Sequence, residues 1–273
     1  MIKLVASDID GTLVEEGTSV LTEEFYQTIR ELKAKGVLFA AASGREYQSI
    51  RKLFAPVLDD IICVACNGGI VVCRDTVISK KVIPTAVVKE LIPYVRRIPG
   101  QSICMNTVNH GFYVETTDPE FIELEEKGYC NQIEIVEDLT QIEEEIVKIS
   151  VYKKENIRAY IDQAERDWGD RLHVMQAGDI WLDFVPEDCD KGIALSEIQS
   201  FFGFSPDETM AFGDNHNDIG MMNAATFSYA VANAKDAVKE AAGFETASNV
   251  EGGVLQILQQ LLSGEWDGRA LLS

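Results

Sequence analysis

Apolar residues fall along this chain in short blocks, and the blocks carry two different periods. Residues 2–7 form a nearly continuous apolar run, the pattern of a strand buried on both faces. Thr22 then stands before Glu23 and Glu24, and Phe25, Ile29 and Leu32 recur at helical spacing until Gly36. A cap, acids in the first turn and a terminal glycine together predict a helix. Residues 37–42 read as the next strand, 46–55 as a helix stopped by Pro56, and 61–65 as a third strand. The turn Asn67-Gly68-Gly69 follows, with a hairpin running through Val72. Strands separated by helices of this length predict βαβ units and a parallel sheet.

The pattern changes at Pro84. A helix over 87–96, bent or interrupted by Pro93, leads to strands near 102–106 and 111–116 and then to an acidic stretch. Beyond it come a strand over 147–152, a helix over 157–168, and strands over 172–176 and 180–185 joined around Ala177-Gly178-Asp179. Hairpins mixed with helices predict an α+β domain. After Lys191 the first pattern returns: a helix to Phe202, strands over 209–212 and 228–231, a helix over 218–223, and helices from Ala234 and Val250. The expected organisation is one α/β domain, residues 1–83 and 187–273, interrupted by an α+β insert over 84–186.

Composition narrows the function. The 273 residues are 46% apolar and 25% charged, ordinary for a globular protein, but the net charge is −21. That surface disfavours nucleic acid and anionic membrane as partners, because both reward basic proteins. No run approaches the roughly 18 apolar residues of a membrane span. The N-terminus enters a strand without a leader-like pattern, so a cytoplasmic protein is expected. Of six cysteines, Cys63 and Cys66 form a CxxC. Cys63 lies inside an apolar run and no second pair follows at zinc spacing, so a buried strand cysteine is the better reading.

Three polar loops each follow a predicted strand, where an open parallel sheet binds its ligands. They are Asp8-Ile9-Asp10-Gly11-Thr12, Ser43-Gly44-Arg45 and Gly213-Asp214-Asn215-His216-Asn217-Asp218. Taken singly, a surface turn, a helix cap and a polar loop explain them equally well. Together they bring carboxylates and a hydroxyl to one rim. Hard oxygen donors of this kind suit Mg²⁺. Lys191 opens the helix that returns to the first domain. The histidines, His110, His173 and His216, fit no catalytic set. The acidic run 118–126 reads as a solvated face, Trp168 and Trp181 as core of the insert, and the tail 263–273, with Trp266, as docked or frayed.

These loops, in this order, resemble the four motifs of the haloacid dehalogenase superfamily: DxDGT at 8–12, Ser43-Gly44-Arg45, Lys191, and GDxxND at 213–218. The resemblance spans the whole chain, and an insert between the second and third motifs is similar to the type IIB (Cof-like) cap, type C2B. Asn67-Gly68-Gly69 resembles the Asn-Gly-Ala turn of that subgroup, and residues 229–234 resemble its segment after the fourth motif, without the Gly or Met common there. The resemblance implies a Rossmann-like parallel-sheet core with an inserted α+β cap, and a Mg²⁺-dependent phosphatase for a small phosphorylated metabolite, a sugar phosphate first among them. It implies Asp8 as nucleophile, forming an aspartyl-phosphate. It also implies Mg²⁺ held by Asp8, the Asp10 carbonyl and Asp214, and Asp10 as general acid and base. Ser43, Lys191, Asn217 and the N–H groups of Ile9 and Gly44 would hold phosphate. Asp218 would orient Lys191 or a metal-bound water, and Arg45 stays open between substrate contact and a helix-start role. A phosphomutase on the same fold and a phosphate-sensing module are the alternatives.

Overall fold

The structure is a computed structural model that describes residues 1–15, 20–74, 76–109, 111–128, 131–177 and 180–268. His110, Cys130, most of the expected turn at 177–179 and the last five residues of the tail lie outside the described residues.

In chain order the elements begin with β1 (Leu4–Ser7), α1 (Glu23–Ala34), β2 (Leu38–Ala42), α2 (Tyr47–Leu53), β3 (Ile61–Ala65), β4 (Ile70–Cys73) and β5 (Thr76–Lys80). There follow α3 (Thr85–Val95), β6 (Ser102–Thr107), β7 (Phe112–Glu115), α4 (Pro119–Glu123), β8 (Glu134–Ile135), β9 (Ile146–Tyr152), α5 (Arg158–Trp168), β10 (His173–Ala177) and β11 (Trp181–Val185). The chain closes with α6 (Lys191–Phe202), β12 (Thr209–Gly213), α7 (Ile219–Ala224), β13 (Phe227–Val231), α8 (Asp236–Ala241), β14 (Phe244–Thr246) and α9 (Gly253–Ser263). It divides into two units, 1–79 with 190–273, and 80–189. Residues 80–83 thus go with the insert, a few residues before the expected boundary. Ile83 donates its N–H to the Ile146 carbonyl at 2.8 Å and packs into the insert's own apolar cluster.

The first unit is built on an eight-stranded sheet of order β14-β13-β12-β1-β2-β3-β4-β5. The pairs from β14 across to β3 are parallel, and β4 turns back antiparallel on β3 with Cys63 opposite Val72. Every residue of β1 and β12 is buried, as strands covered on both faces require. The chain starts in the middle, moves outward through β2 and β3, and returns on the other flank through β12. Between β1 and β12 the order of connection reverses, and at such a switch point the carboxyl ends of the strands open a crevice. Thr22 caps α1 by accepting the Phe25 N–H, as its position implies.

The second unit is a six-stranded sheet of order β10-β11-β9-β6-β7-β8, antiparallel except between β7 and β8. One cluster packs α3 and α5, including Trp168, on Ile103, Met105, Ile149, Val151, Leu182 and Phe184. A second packs Phe121 on Cys104, Phe112, Val114 and Tyr152, with Trp181 against it. The period of two along β6 and β9 puts these clusters on opposite faces. Here the acidic run departs from the expected solvated face. Asp118 caps α4, and its turn widens into a π-helical stretch over Leu124–Gly128. Phe121 and Glu125, four residues apart, are both buried, and Glu125 accepts a hydrogen bond from Asn131. The run is half core because its one aromatic faces inward with a partnered acid beside it.

Candidate active site

The loop after β1 puts Asp8 at the end of the buried strand, 5% exposed, its N–H bonded to the Phe212 carbonyl of β12. The chain then curls tightly. The Ile9 carbonyl accepts from the N–H groups of Thr12, Leu13 and Val14, and the Ile9 side chain is fully buried. Gly11 allows the curl with φ of +83°, and a Cβ there would lie 2.5 Å from Asp214 Oδ2. Only glycine lets the first loop approach the fourth this closely. Thr12 Oγ1 donates to Asp214 Oδ1 at 2.7 Å, a link between the two loops that the sequence reading assigned to no residue.

Lys191, the first residue of α6, is fully buried. Asp190 caps the helix by accepting from the N–H groups of Gly192 and Ile193. The Lys191 ammonium donates to Asp8 Oδ1 at 2.5 Å and to Asp218 Oδ1 at 2.7 Å. Burial alone would lower its pKa, but the two carboxylates outweigh it and hold the amine charged. Asp218 spends its other oxygen on the N–H groups of Asp214 and Asn215, both at 3.0 Å. It therefore orients Lys191 and shapes the fourth loop at once.

One oxygen from each of Asp8, Asp214 and Asp218 falls within a mutual 4.8 Å. Lys191 neutralises a single charge of the three. Burial and the Asp218 charge push the Asp8 carboxyl up from its ordinary value against the pull of Lys191, and burial likewise raises Asp214. Close carboxylates with too little countercharge destabilise their ionised forms. An all-oxygen set with surplus negative charge fits a hard divalent cation. Since Asp218 is taken up by Lys191 and backbone N–H groups, Asp8 and Asp214 are the side chains suited to hold it.

The second loop closes the rim. The Ser43 hydroxyl, 1% exposed, accepts from the Arg45 N–H at 3.1 Å, and the Ser43 carbonyl accepts from the Asn67 N–H. Asn67 adopts φ of +57° in the turn after β3, the left-handed conformation that asparagine tolerates. Its Oδ1 accepts from Asn217 Nδ2 at 2.9 Å and would touch a Cβ at Gly44. Gly68 has φ of +96°, and a Cβ there would strike the Asp190 carbonyl at 2.6 Å. The turn after β3 thus braces the second, third and fourth motifs together. An asparagine before two glycines at a strand end was the available signal for this brace. Arg45 does not stay at the helix start: its guanidinium grips the Asp10 carboxylate at 2.6 and 2.8 Å. Glu46 is the residue that caps α2.

Ile9, Ser43, Gly44, Lys191, Asp214 and Asn217 therefore border one region with Asp8 and Asp10. His216 is exposed beside it, and His173 lies in β10 of the insert. Cys63 is buried, its thiol pushed up by burial to about 12, which suits the inert strand reading.

The family model for haloacid dehalogenase-like hydrolases matches residues 5–258. The Escherichia coli 5-amino-6-(5-phospho-D-ribitylamino)uracil phosphatase YbjI is 27% identical over 265 residues, 97% of each chain. A solved structure from Eubacterium rectale superposes with a TM-score of 0.88 at 31% identity, covering 95% of this chain and 99% of that one. Another, named as the HAD subclass IIB sugar phosphatase BT4131, shares the fold with a TM-score of 0.80 at 24% identity, covering 95% and 98%. The chain belongs to the haloacid dehalogenase-like hydrolases, with the parallel-sheet core and the inserted α+β domain of that fold.

Proposed function

We propose that this hydrolase is a Mg²⁺-dependent phosphatase of a small phosphorylated metabolite, working through an aspartyl-phosphate on Asp8. The observation that carries the reading is the buried Asp8, paired with Lys191 and converging with Asp214 at the switch point of the sheet. A bound Mg²⁺, held by Asp8, Asp214 and the Asp10 carbonyl, would offset the repulsion between a carboxylate nucleophile and a phosphate dianion. The remaining steps belong to the chain. An Asp8 oxygen attacks phosphorus in line, and the bond to the leaving oxygen breaks with its electron pair. Asp10 gives that oxygen its proton. Water then attacks the phosphorus, Asp10 takes a proton from it, and the Asp8–phosphorus bond breaks to restore the carboxylate. Ser43, Lys191, Asn217 and the N–H groups of Ile9 and Gly44 hold phosphate oxygens throughout.

The relative YbjI is named for a phosphorylated ribityl compound. A polyol or sugar phosphate is the substrate class we favour here, in a protein of the cytoplasm. The test is inorganic phosphate release across a panel of phosphorylated sugars, polyols and nucleotides, with the phosphoribityl uracil compound included. Asp8→Asn should lower kcat by about 10³-fold or more, since an amide is a poor nucleophile. Near-normal release by that variant, or phosphate returned to the substrate instead of to water, would overturn the reading.

A further inference from the structure

We infer that Arg45 is a positioning residue that holds the Asp10 carboxylate for the water-activating half of the reaction. The inference rests on the reading of Asp10 as the acid and base. Arg45 Nε donates to Asp10 Oδ2 at 2.8 Å and Nη2 donates to Oδ1 at 2.6 Å, a two-point grip on a planar group. The Asp10 side chain is 31% exposed. Without a clamp it would sample several staggered rotamers. The clamp is itself anchored. The Arg45 N–H donates to Ser43 Oγ, and the Arg45 carbonyl accepts from the Cys66 N–H at 2.8 Å. The loop that presents Ser43 and the turn after β3 therefore set where Asp10 stands.

The grip fixes the direction in which both Asp10 oxygens face. That direction matters when water attacks the phospho-Asp8 phosphorus: the new oxygen–phosphorus bond forms, the Asp8 bond breaks with its pair returning to Asp8, and the water proton passes to Asp10. With a leaving group that needs no proton, formation of the intermediate makes no such demand on Asp10. Losing the grip should therefore slow hydrolysis of the intermediate more than its formation.

The experiment is rapid-quench kinetics with p-nitrophenyl phosphate, whose leaving group needs no proton, on Arg45→Gln, Asp10→Asn and the double variant. Arg45→Gln should show a burst of about one p-nitrophenol per enzyme. Its steady state should then fall by roughly 10–100-fold, the scale of a misplaced catalytic group. KM should fall no less than kcat, because the slowed step follows phosphoryl transfer, and phospho-Asp8 should appear in the intact mass. In the Asp10→Asn background the same change should add less than about twofold, because the residues act as one unit. Arg45→Lys keeps the charge but loses the fork, and it should keep the burst with a smaller loss in the steady state. It also serves if the Gln variant melts early. A raised KM without a burst would make Arg45 a substrate contact and overturn the inference, as would a full additive loss on Asp10→Asn. Unimpaired Asp10→Asn would remove the acid/base role itself, a failure of the underlying reading that the single variant alone reveals.

Discussion

Gly11 shows how far the chemistry depends on single positions. A methyl group there meets Asp214 Oδ2 at 2.5 Å, and the left-handed backbone adds strain of about 1–2 kcal/mol for any other residue. Gly11→Ala should therefore displace the Asp214 carboxylate. Asp214→Ala removes it outright. Both should raise the Mg²⁺ concentration for half-maximal activity, the second more than the first, in titrations of EDTA-stripped protein, while circular dichroism stays near that of the parent. Unchanged Mg²⁺ dependence in Asp214→Ala would take that residue out of the metal site. The motif residues themselves were legible because acids, hydroxyls and glycines sit directly after apolar runs. Their pairings were not. Thr12 meets Asp214 across 202 positions and Arg45 meets Asp10 across 35, and which acid a cation reaches is settled by the packing of distant loops. Lys191 was legible as a residue, but its place between Asp8 and Asp218 required the fold.

At the scale of elements, the long periodic segments were readable and the short or half-exposed ones were not. α1 with its cap, and the buried strands β1, β2 and β3, lie where apolar spacing put them. β5 is largely exposed, β8 has two residues and β14 has three, so none leaves a clear alternation. The helix expected over 46–55 is shorter, because Glu46 is its cap and a 3₁₀ stretch with Pro56 takes over at Ala55. The largest surprise was α4, concealed among acids. Phe121 is fully buried, with its ring centroid 4.8 Å from Tyr152 and 6.0 Å from Trp181. Phe121→Ala should destabilise the insert by about 3–5 kcal/mol, the usual consequence of emptying an aromatic site. Urea unfolding followed by tryptophan fluorescence would register this as an earlier transition. A change below about 0.5 kcal/mol is what a solvated surface position would give.

For the whole molecule, charge and connectivity matter most. A net charge of −21 repels a phosphate dianion at long range, although Lys191 attracts it at close quarters. Salt screens the first effect far more than the second, because the Debye length is about 10 Å at 0.1 M and Lys191 is buried. Raising ionic strength from a few millimolar towards 0.15 M should increase kcat/KM by about two- to fivefold with kcat little changed, a modest case of long-range field acting on encounter. A monotonic fall in kcat/KM would mean that a local positive field governs approach. No helix among the described residues is long and apolar enough to cross a membrane. The connectivity has a consequence for biosynthesis. β1 leaves the ribosome about two hundred residues ahead of its neighbour β12, and the lysine that meets Asp8 is 183 positions away. Until that stretch has been translated, the nascent chain carries an open edge on a strand that ends up wholly buried and an acid without its counterion. An unfinished chain is then a client for chaperones, not a weak enzyme, and synonymous codons that slow translation through the insert would lengthen that exposure without altering a single residue of the finished protein.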